Sequence, residues 1–380
     1  MSFAKDGDVS GLPAIPLFKV FMPERAPALL APVLASGRLA CGPQVAAFEA
    51  QCAAWLGAVD AVALNDSSSA LTLSMYLAGV RPGDEVIVPS LACSATVMPI
   101  ANLFARPVWC DVDAATGMPN AEHVAGLISE KTKAILIYHW SGDVAQLEAT
   151  LALAKQHDLK VIEEASEAFG AESGGRRLGG VADYTVYSFY ATKHINTGEG
   201  ALLLTADRAE LALARRLRRF GIDPGTLRLA NGDLNPHFDV PLAGFNMPMN
   251  EIAATIGLAA LPEADGIVAR HRGNGHRYEL ALANVAGVRL LERGAHTESA
   301  YWTYSMLAER RDDLIRKLNS HGIGAQRLHL RNDGFSCFGG KALVLPGTEV
   351  FDSHNISIPC GWWIGEQEQE RVVQCIKDGW

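Results

Sequence analysis

The sequence predicts an α/β fold in which a large unit, with a mainly parallel seven-stranded sheet flanked by helices, is followed by a smaller C-terminal α+β unit. Three observations carry this expectation. From Ala61 to about Asp265 a short apolar run, a turn rich in Gly, Pro, Asp or Ser, and an amphipathic stretch of helical length recur, the mark of strands alternating with helices. The apolar runs are short and rich in Val, Ile and Leu, as strands buried on both faces are. After Gly244 a helical pattern runs from near Met249 towards Ala283, is interrupted at Pro262, and leads into a differently spaced remainder.

Strands are expected at Ala61 to Leu64, Glu85 to Pro89, Arg106 to Asp111, Thr132 to Tyr138, Lys160 to Glu163, Tyr184 to Ser188 and Ala201 to Thr205. Helices fill gaps between them, for example Ser68 to Gly79, Ala145 to His157 and Arg208 to Phe220, with Gly and Asp as ordinary stop signals. Gly221 to Asp239, dense in Gly, Pro, Asn and Asp, reads as a long loop of the kind that is functional or mobile. The smaller unit is expected to hold strands at Val288 to Leu291 and Tyr301 to Leu307 and helices at Arg311 to His321 and Glu366 to Lys377. The domains are therefore placed at residues 15–262 and 263–380.

Composition narrows the function classes. A chain of 380 residues, 49% hydrophobic and 20% charged, buries a sizeable core and is not disordered. Its 33 basic and 42 acidic residues leave a net charge of −9, which argues against the basic footprint of a nucleic-acid binder. Seven scattered cysteines without C-x-x-C spacing point to reduced thiols, not to a disulfide framework or a zinc site, and no metal ligands are expected. Met1 to Leu17 has two acidic residues and no apolar core of a signal peptide, and no stretch of about 18 uncharged apolar residues occurs. A cytoplasmic protein that does not engage membranes is the expectation.

Three stretches could carry chemistry. In Tyr187 to Thr205, YSFYATKHINTGEGALLLT, an apolar strand ends in a polar turn with one lysine, Lys193. A lysine amine attacks carbonyl carbon once deprotonated, and burial favours that form; alone, the stretch reads more simply as a solvated surface charge. In VIEEASEAFG, Val161 to Gly170, a strand runs into Glu163 and Glu164 at its carboxyl end, where ligands of open α/β sheets bind. A carboxylate there suits the protonated nitrogen of a pyridine cofactor, and equally suits the positive end of a following helix. In ALNDSSSALTL, Ala63 to Leu73, a strand, three serines and an apolar-periodic helix make either a phosphate site or a plain N-cap at Ser67, Ser68 and Ser69.

Taken together, phosphate cradle, pyridine-nitrogen carboxylate and reactive lysine stand in the chain order that one cofactor fold uses. The sequence resembles the DegT/StrS-type family of pyridoxal-phosphate (PLP) sugar aminotransferases, within the fold-type I, aspartate aminotransferase-like superfamily. The likeness extends over nearly the whole chain, through SGRLACGPQVAAFEA (Ser36 to Ala50), RPGDEVIVPSLACSATV (Arg81 to Val97), SFYATKHINTGEGA (Ser188 to Ala201) and GFNMPMNEIAATIGLAAL (Gly244 to Leu261). The resemblance implies PLP as cofactor, Lys193 as the Schiff-base lysine, Glu164 as partner of the pyridine nitrogen, and Ser188 with the amides of Ser67 and Ser68 as phosphate ligands. It implies that Asn246 reaches the neighbouring subunit's phosphate site, so that the active unit is a homodimer. Cys93 falls where the family commonly stacks an aromatic residue on the pyridoxal ring. The family usually has Asp at the position of Glu164 and His or Gln at that of Glu167, and many members have Arg at that of Pro248.

The activity so implied is transfer of an amino group from an amino acid, with L-glutamate expected, to a keto sugar expected to be nucleotide-linked. Its rivals within the family are keto-cyclitol aminotransferases, aromatising enzymes, and dehydratases with histidine in place of the lysine, which Lys193 disfavours although His194 follows it. A catalytically silent regulator on the same fold is the rival from another class. Trp302, Tyr304, Arg327, His329, Trp362 and Trp363 are candidate sugar contacts, each with a plain reading as core or domain interface.

Overall fold

The computed structural model describes residues 13–380. Its central sheet has seven strands: β1 (Ala61–Leu64), β2 (Glu85–Pro89), β3 (Arg106–Cys110), β4 (Thr132–Tyr138), β5 (Lys160–Glu164), β6 (Tyr184–Ser188) and β7 (Ala201–Leu204), in the order β1-β7-β6-β5-β4-β2-β3. Neighbours among β2 to β6 pair in parallel, and β7 runs antiparallel to both β1 and β6. Six strands therefore point the same way, and the turns that follow them gather along one edge. The predicted strands lie within a residue of those observed.

Side chains alternate along each strand. On β4, Ile135 and Ile137 enter the core that holds Phe48, Phe169 and Tyr187, while Ala134 and Leu136 enter the core on the opposite face with Leu71, Val86 and Leu203. Both faces are covered by helices, which explains the continuous apolar runs.

Two helices precede the first strand and were not anticipated: Ala26–Ser36 and Pro43–Leu56. The second carries a signal that was available in the sequence, Pro43 at its first position and Gly57 in the left-handed conformation after its last. Its first free amides, those of Gln44 and Val45, donate to the Glu251 carboxylate at 3.1 and 3.0 Å. The apolar pattern from Met249 resolves into helix Glu251–Ala260, a 3-10 turn at Leu261–Glu263 that contains Pro262, and helix Ala264–Leu282. By length and composition Glu251–Leu282 matches a membrane span, but about half of its most apolar window is buried inside this protein. Gly257 lets it approach helix Pro43–Leu56 closely, since a Cβ there would fall 2.4 Å from the Phe48 ring.

In the C-terminal part, Val288–Leu290, Tyr304–Ala308 and Asn355–Ile358 form an antiparallel sheet with Tyr304–Ala308 in the middle. The middle strand starts at Tyr304, three residues later than predicted, because Tyr301 takes φ +46° and breaks the extended chain. Helix Pro346–His354 and strand Asn355–Ile358 were not anticipated. Ile15 packs in the core of this sheet and pairs with Ile323. Residues 221–239 are mostly exposed, as a loop should be, but hold a short helix, Pro224–Leu227, and a bridge between Arg228 and Leu234.

Candidate active site

The carboxyl ends of β1, β2, β4, β5 and β6 surround a cavity of about 730 Å³. Such an edge is where ligands of open α/β sheets bind. Ser67, Ser68, Cys93, Glu164, Glu167, Ser188 and Lys193 all line it. Asn246 does not line it; it is exposed on the segment bridged to Arg219.

Lys193 sits in a tight turn after β6, its amide donating to the Tyr190 carbonyl at 2.9 Å. Its Nζ lies 3.5 Å from the centre of the Trp302 ring and 3.8 Å from Glu167 Oε1. Trp302 is held in place from two sides: its indole N–H donates to the Thr192 carbonyl at 2.8 Å, and Phe18 stacks on it with centroids 4.9 Å apart. The lysine is thus a cavity group and not a solvated surface charge. His194, the next residue, turns into the core, where Nε2 bonds the Ala300 carbonyl and the ring lies against His271; burial holds its pKa well below the usual histidine value.

Alternation along β5 separates the two adjacent carboxylates. Glu163 points away from the cavity, bonded to His139 Nε2 at 3.0 Å and Thr185 Oγ1 at 2.6 Å. Glu164 points into it and accepts the Ser166 amide at 3.1 Å. No helix follows directly: residues 165–171 form turns, so neither carboxylate is a helix cap. Burial pushes the Glu164 carboxyl above the usual carboxylate range, against the opposing pull of the Ser166 bond and the Lys193 charge. Glu167 shares the burial, yet His329, Lys193 and the hydrogen bonds from His329 and Tyr138 hold it below that range. Burial likewise raises the Cys93 thiol, with Lys193 acting in the opposite direction.

The three serines occupy the first turn of helix Ser67–Leu77, and the N-cap is Asp66, whose carboxylate takes the Ser69 amide at 2.8 Å. This corrects the reading of the serines as caps; Asp66, the better acceptor, precedes them. The amides of Ser67 and Ser68 stay free for a ligand, since first-turn amides have no acceptor within the helix.

Of the candidate sugar contacts, Trp302 and His329 line the cavity. Tyr304 is buried beside Tyr278, Arg327 lies 3.6 Å from Asp352, Trp363 donates to the Pro16 carbonyl, and Trp362 packs edge-on against Phe21. Phe18, Tyr138, Thr192, Asn250 and Gln326 line the cavity without having been anticipated. Thr192 and Asn250 fall inside motifs already quoted, SFYATKHINTGEGA and GFNMPMNEIAATIGLAAL, whereas no motif marks Phe18, Tyr138 or Gln326 and only the fold brings those three to one wall.

A family model described as the DegT/DnrJ/EryC1/StrS aminotransferase family matches residues 22–377. The chain belongs to this family. GDP-perosamine synthase of Caulobacter vibrioides is 36% identical over 289 residues, covering 74% of this chain and 75% of that protein. UDP-4-amino-4-deoxy-L-arabinose–oxoglutarate aminotransferase of Shewanella sediminis is 28% identical over 379 residues, 96% of this chain and 97% of that one. The solved structure of the sugar aminotransferase CalS13 from Micromonospora echinospora superposes with a TM-score of 0.91 at 34% identity, covering 96% of this chain and all of that one. The fold is PLP-transferase fold type I, and the protein is a PLP-dependent aminotransferase of a sugar aminotransferase family.

The cavity fits this cofactor. Among the described residues Ser166 Oγ is buried without a hydrogen-bond partner beside it, the free amides of Ser67 and Ser68 suit a phosphate, and the buried Glu164 carboxyl suits a protonated ring nitrogen.

Proposed function

We propose that this aminotransferase moves the amino group of L-glutamate to a keto sugar carried on a nucleotide. The observation that carries the reading is the convergence of Lys193, Glu164 and the serine-rich helix start on one cavity at the carboxyl edge of the sheet. The names of two relatives, GDP-perosamine synthase and UDP-4-amino-4-deoxy-L-arabinose–oxoglutarate aminotransferase, support a nucleotide-linked sugar and the glutamate/oxoglutarate pair.

Bound PLP supplies a carbonyl that condenses with amines and a ring that accepts electron density. The chain supplies the rest. Ser188 and the amides of Ser67 and Ser68 hold the phosphate. Glu164 would hold a proton at the ring nitrogen, and the Cys93 sulfur would offer the ring a soft, polarisable contact. Lys193 tethers the cofactor and, once displaced, its Nζ takes a proton from the amine-bearing carbon of the donor and delivers one to the acceptor carbon. Asn246 serves a second copy of the chain, which makes the working unit a homodimer; residues 15–262 and 263–380 are its two domains. The seven cysteines are free thiols, which suits a cytoplasmic setting.

Borohydride reduction of the loaded enzyme followed by peptide mapping should label Lys193; labelling elsewhere overturns the assignment. A screen of keto sugars on several nucleotides, with glutamate as donor and 2-oxoglutarate as readout, tests the substrate class, and turnover of free keto-cyclitols alone would refute it. Mixing Lys193→Ala with Asn246→Ala subunits should restore activity, because one site of the mixed dimer then has both residues intact.

A further inference from the structure

The reaction proposed above leaves unassigned a cluster of titratable side chains built on Glu167. Glu167 comes from the turn after β5, Tyr138 from the end of β4, and His329 from the C-terminal part of the chain. The Ser141 N–H donates to Glu167 Oε2 at 2.8 Å. That amide is aimed by an uncommon backbone: Ser141 has φ +58° and Gly142 φ +105°, and a Cβ on Gly142 would lie 2.7 Å from the Tyr301 nitrogen. The other oxygen, Oε1, lies 2.8 Å from His329 Nε2 and 3.8 Å from Lys193 Nζ. The Tyr138 hydroxyl lies 2.8 Å from the same Nε2.

One ring nitrogen carries either a hydrogen or a lone pair. With the hydrogen present, Nε2 donates to the Glu167 carboxylate; with it absent, Nε2 accepts from the Tyr138 hydroxyl and Oε1 is left to the Lys193 ammonium. Adding or removing one proton therefore re-sorts all three groups, and the oxygen at the centre of that exchange is the one that faces Lys193.

We propose that Glu167, His329 and Tyr138 form a proton relay for Lys193. When the lysine ammonium gives up a proton to become the reactive amine, the N–H bond at Nζ breaks as an O–H bond forms at Glu167 Oε1, and that O–H bond breaks in turn as an N–H bond forms at the lone pair of His329 Nε2, the neutral ring carrying its hydrogen on Nδ1 beforehand. The positive charge moves from lysine to histidine, Glu167 stays an anion and the total is unchanged. The flexible lysine stem has about 1 Å to close before Nζ reaches hydrogen-bond distance. The path runs in reverse when the lysine must be protonated again. His329 acts through Glu167 and is a positioning residue. The inference rests on the proposed function in one respect, that Lys193 is the amine that engages the cofactor.

The other carboxylates on the cavity, His194 and the Cys93 thiol do not offer this path. Glu164 accepts the Ser166 amide and is pushed towards its neutral form by burial. His194 is buried against Ala300 and His271. The Cys93 thiol is raised by burial. Asp66 is committed to Ser69, and Glu199, the remaining acidic group on the cavity, is raised by burial and by Asp66. Glu167, in contrast, is held in its anionic form, as a group that takes a proton from the lysine and hands it on must be.

The test uses the cofactor-free chain and its rate of covalent capture of PLP, trapped with borohydride and read by the mass of the Lys193 peptide across pH. His329→Gln should slow capture about tenfold, a modest share of what proton relays contribute, and should remove one ionisation from the pH profile. Glu167→Gln should do the same, and the double variant should be no slower than either single one. Tyr138→Phe should shift that ionisation without removing it. An unchanged pH profile in both His329→Gln and Glu167→Gln, or effects that multiply in the double variant, overturns the relay while leaving the proposed function standing. Capture at a lysine other than Lys193 overturns both.

Discussion

The two sides of strand Lys160–Glu164 hold the same residue type under opposite conditions. On one side Glu163 is fully buried, with one oxygen bonded to His139 and the other to Thr185, and His139 Nδ1 takes the Ala145 amide in turn. On the other side Glu164 and, three residues on, Glu167 open on a cavity that also holds Lys193 and an unpartnered serine hydroxyl. A buried carboxylate whose hydrogen bonds close within the chain is part of the scaffold. A buried carboxylate that faces a cavity beside a mobile cation is set up to meet something that is not part of the chain.

Variants on the two sides should accordingly fail in different ways. The largest effect is expected on the cavity side: Lys193→Ala should cut turnover by at least about 10⁴-fold, since tether and proton carrier are lost together, with the thermal unfolding transition unchanged. A variant that unfolds instead would place Lys193 with the scaffold. Next comes Glu163→Ala, which takes the partner from His139 Nε2 and from the Thr185 hydroxyl in the core and should cost about 3–5 kcal/mol of stability by urea unfolding. Residual folded protein should still capture PLP at Lys193, and loss of capture without loss of stability would erase the distinction drawn here.

Behind Lys193, His271 and His194 supply a third scaffold region and a pH effect. Burial drops the His271 pKa to about 4 and that of His194 well below the usual 6.5. A histidine depressed in the folded state takes up its proton first in the unfolded chain, so its stabilising share is complete above pH 6.5 and is lost as pH falls towards 4. For His271 alone that loss is roughly 3 kcal/mol. Glu164 acts with the opposite slope, being raised in the folded state: its share is complete below the unfolded carboxylate pKa and declines as pH rises through the folded one. Urea unfolding followed from neutral pH downward should show the net decline, and His271→Asn should flatten it.

The smallest of the effects compared between the two sides belongs to Glu164→Gln. Keeping shape and removing charge should slow the half-reaction with glutamate about 100-fold, near the cost of removing one fixed electrostatic partner, with PLP binding affected far less. A wild-type rate would move the ring-nitrogen role to another carboxylate and redraw the register of VIEEASEAFG.

Much of this arrangement is local and could be read from the chain. Strand positions follow from apolar runs between turn residues. The opposed directions of Glu163 and Glu164 follow from the twofold alternation of a strand, and the turn that carries Lys193 from its small and hydroxyl neighbours. The anion site at Ser67 and Ser68 follows from a helix start, and Asp66 as its cap was legible in the same residues. Family membership was legible too, because its motifs are contiguous stretches in a fixed order.

What the chain could not tell by itself is which residues distant in sequence share a wall. Glu167 and His329 are 162 positions apart, Tyr138 and His329 191. Trp302 covers Lys193 only because Tyr301 leaves the extended conformation and Phe18 stacks behind it. Tyr304, two residues beyond Trp302, belongs to a strand and goes to the core instead. Local propensity and periodicity arise from neighbours a few residues away and are written in the sequence directly. The pairing of Glu167 with His329, and the choice of Trp302 over Tyr304, depend on how the C-terminal sheet packs against the carboxyl edge of the central one, and that packing is decided by the tertiary structure alone.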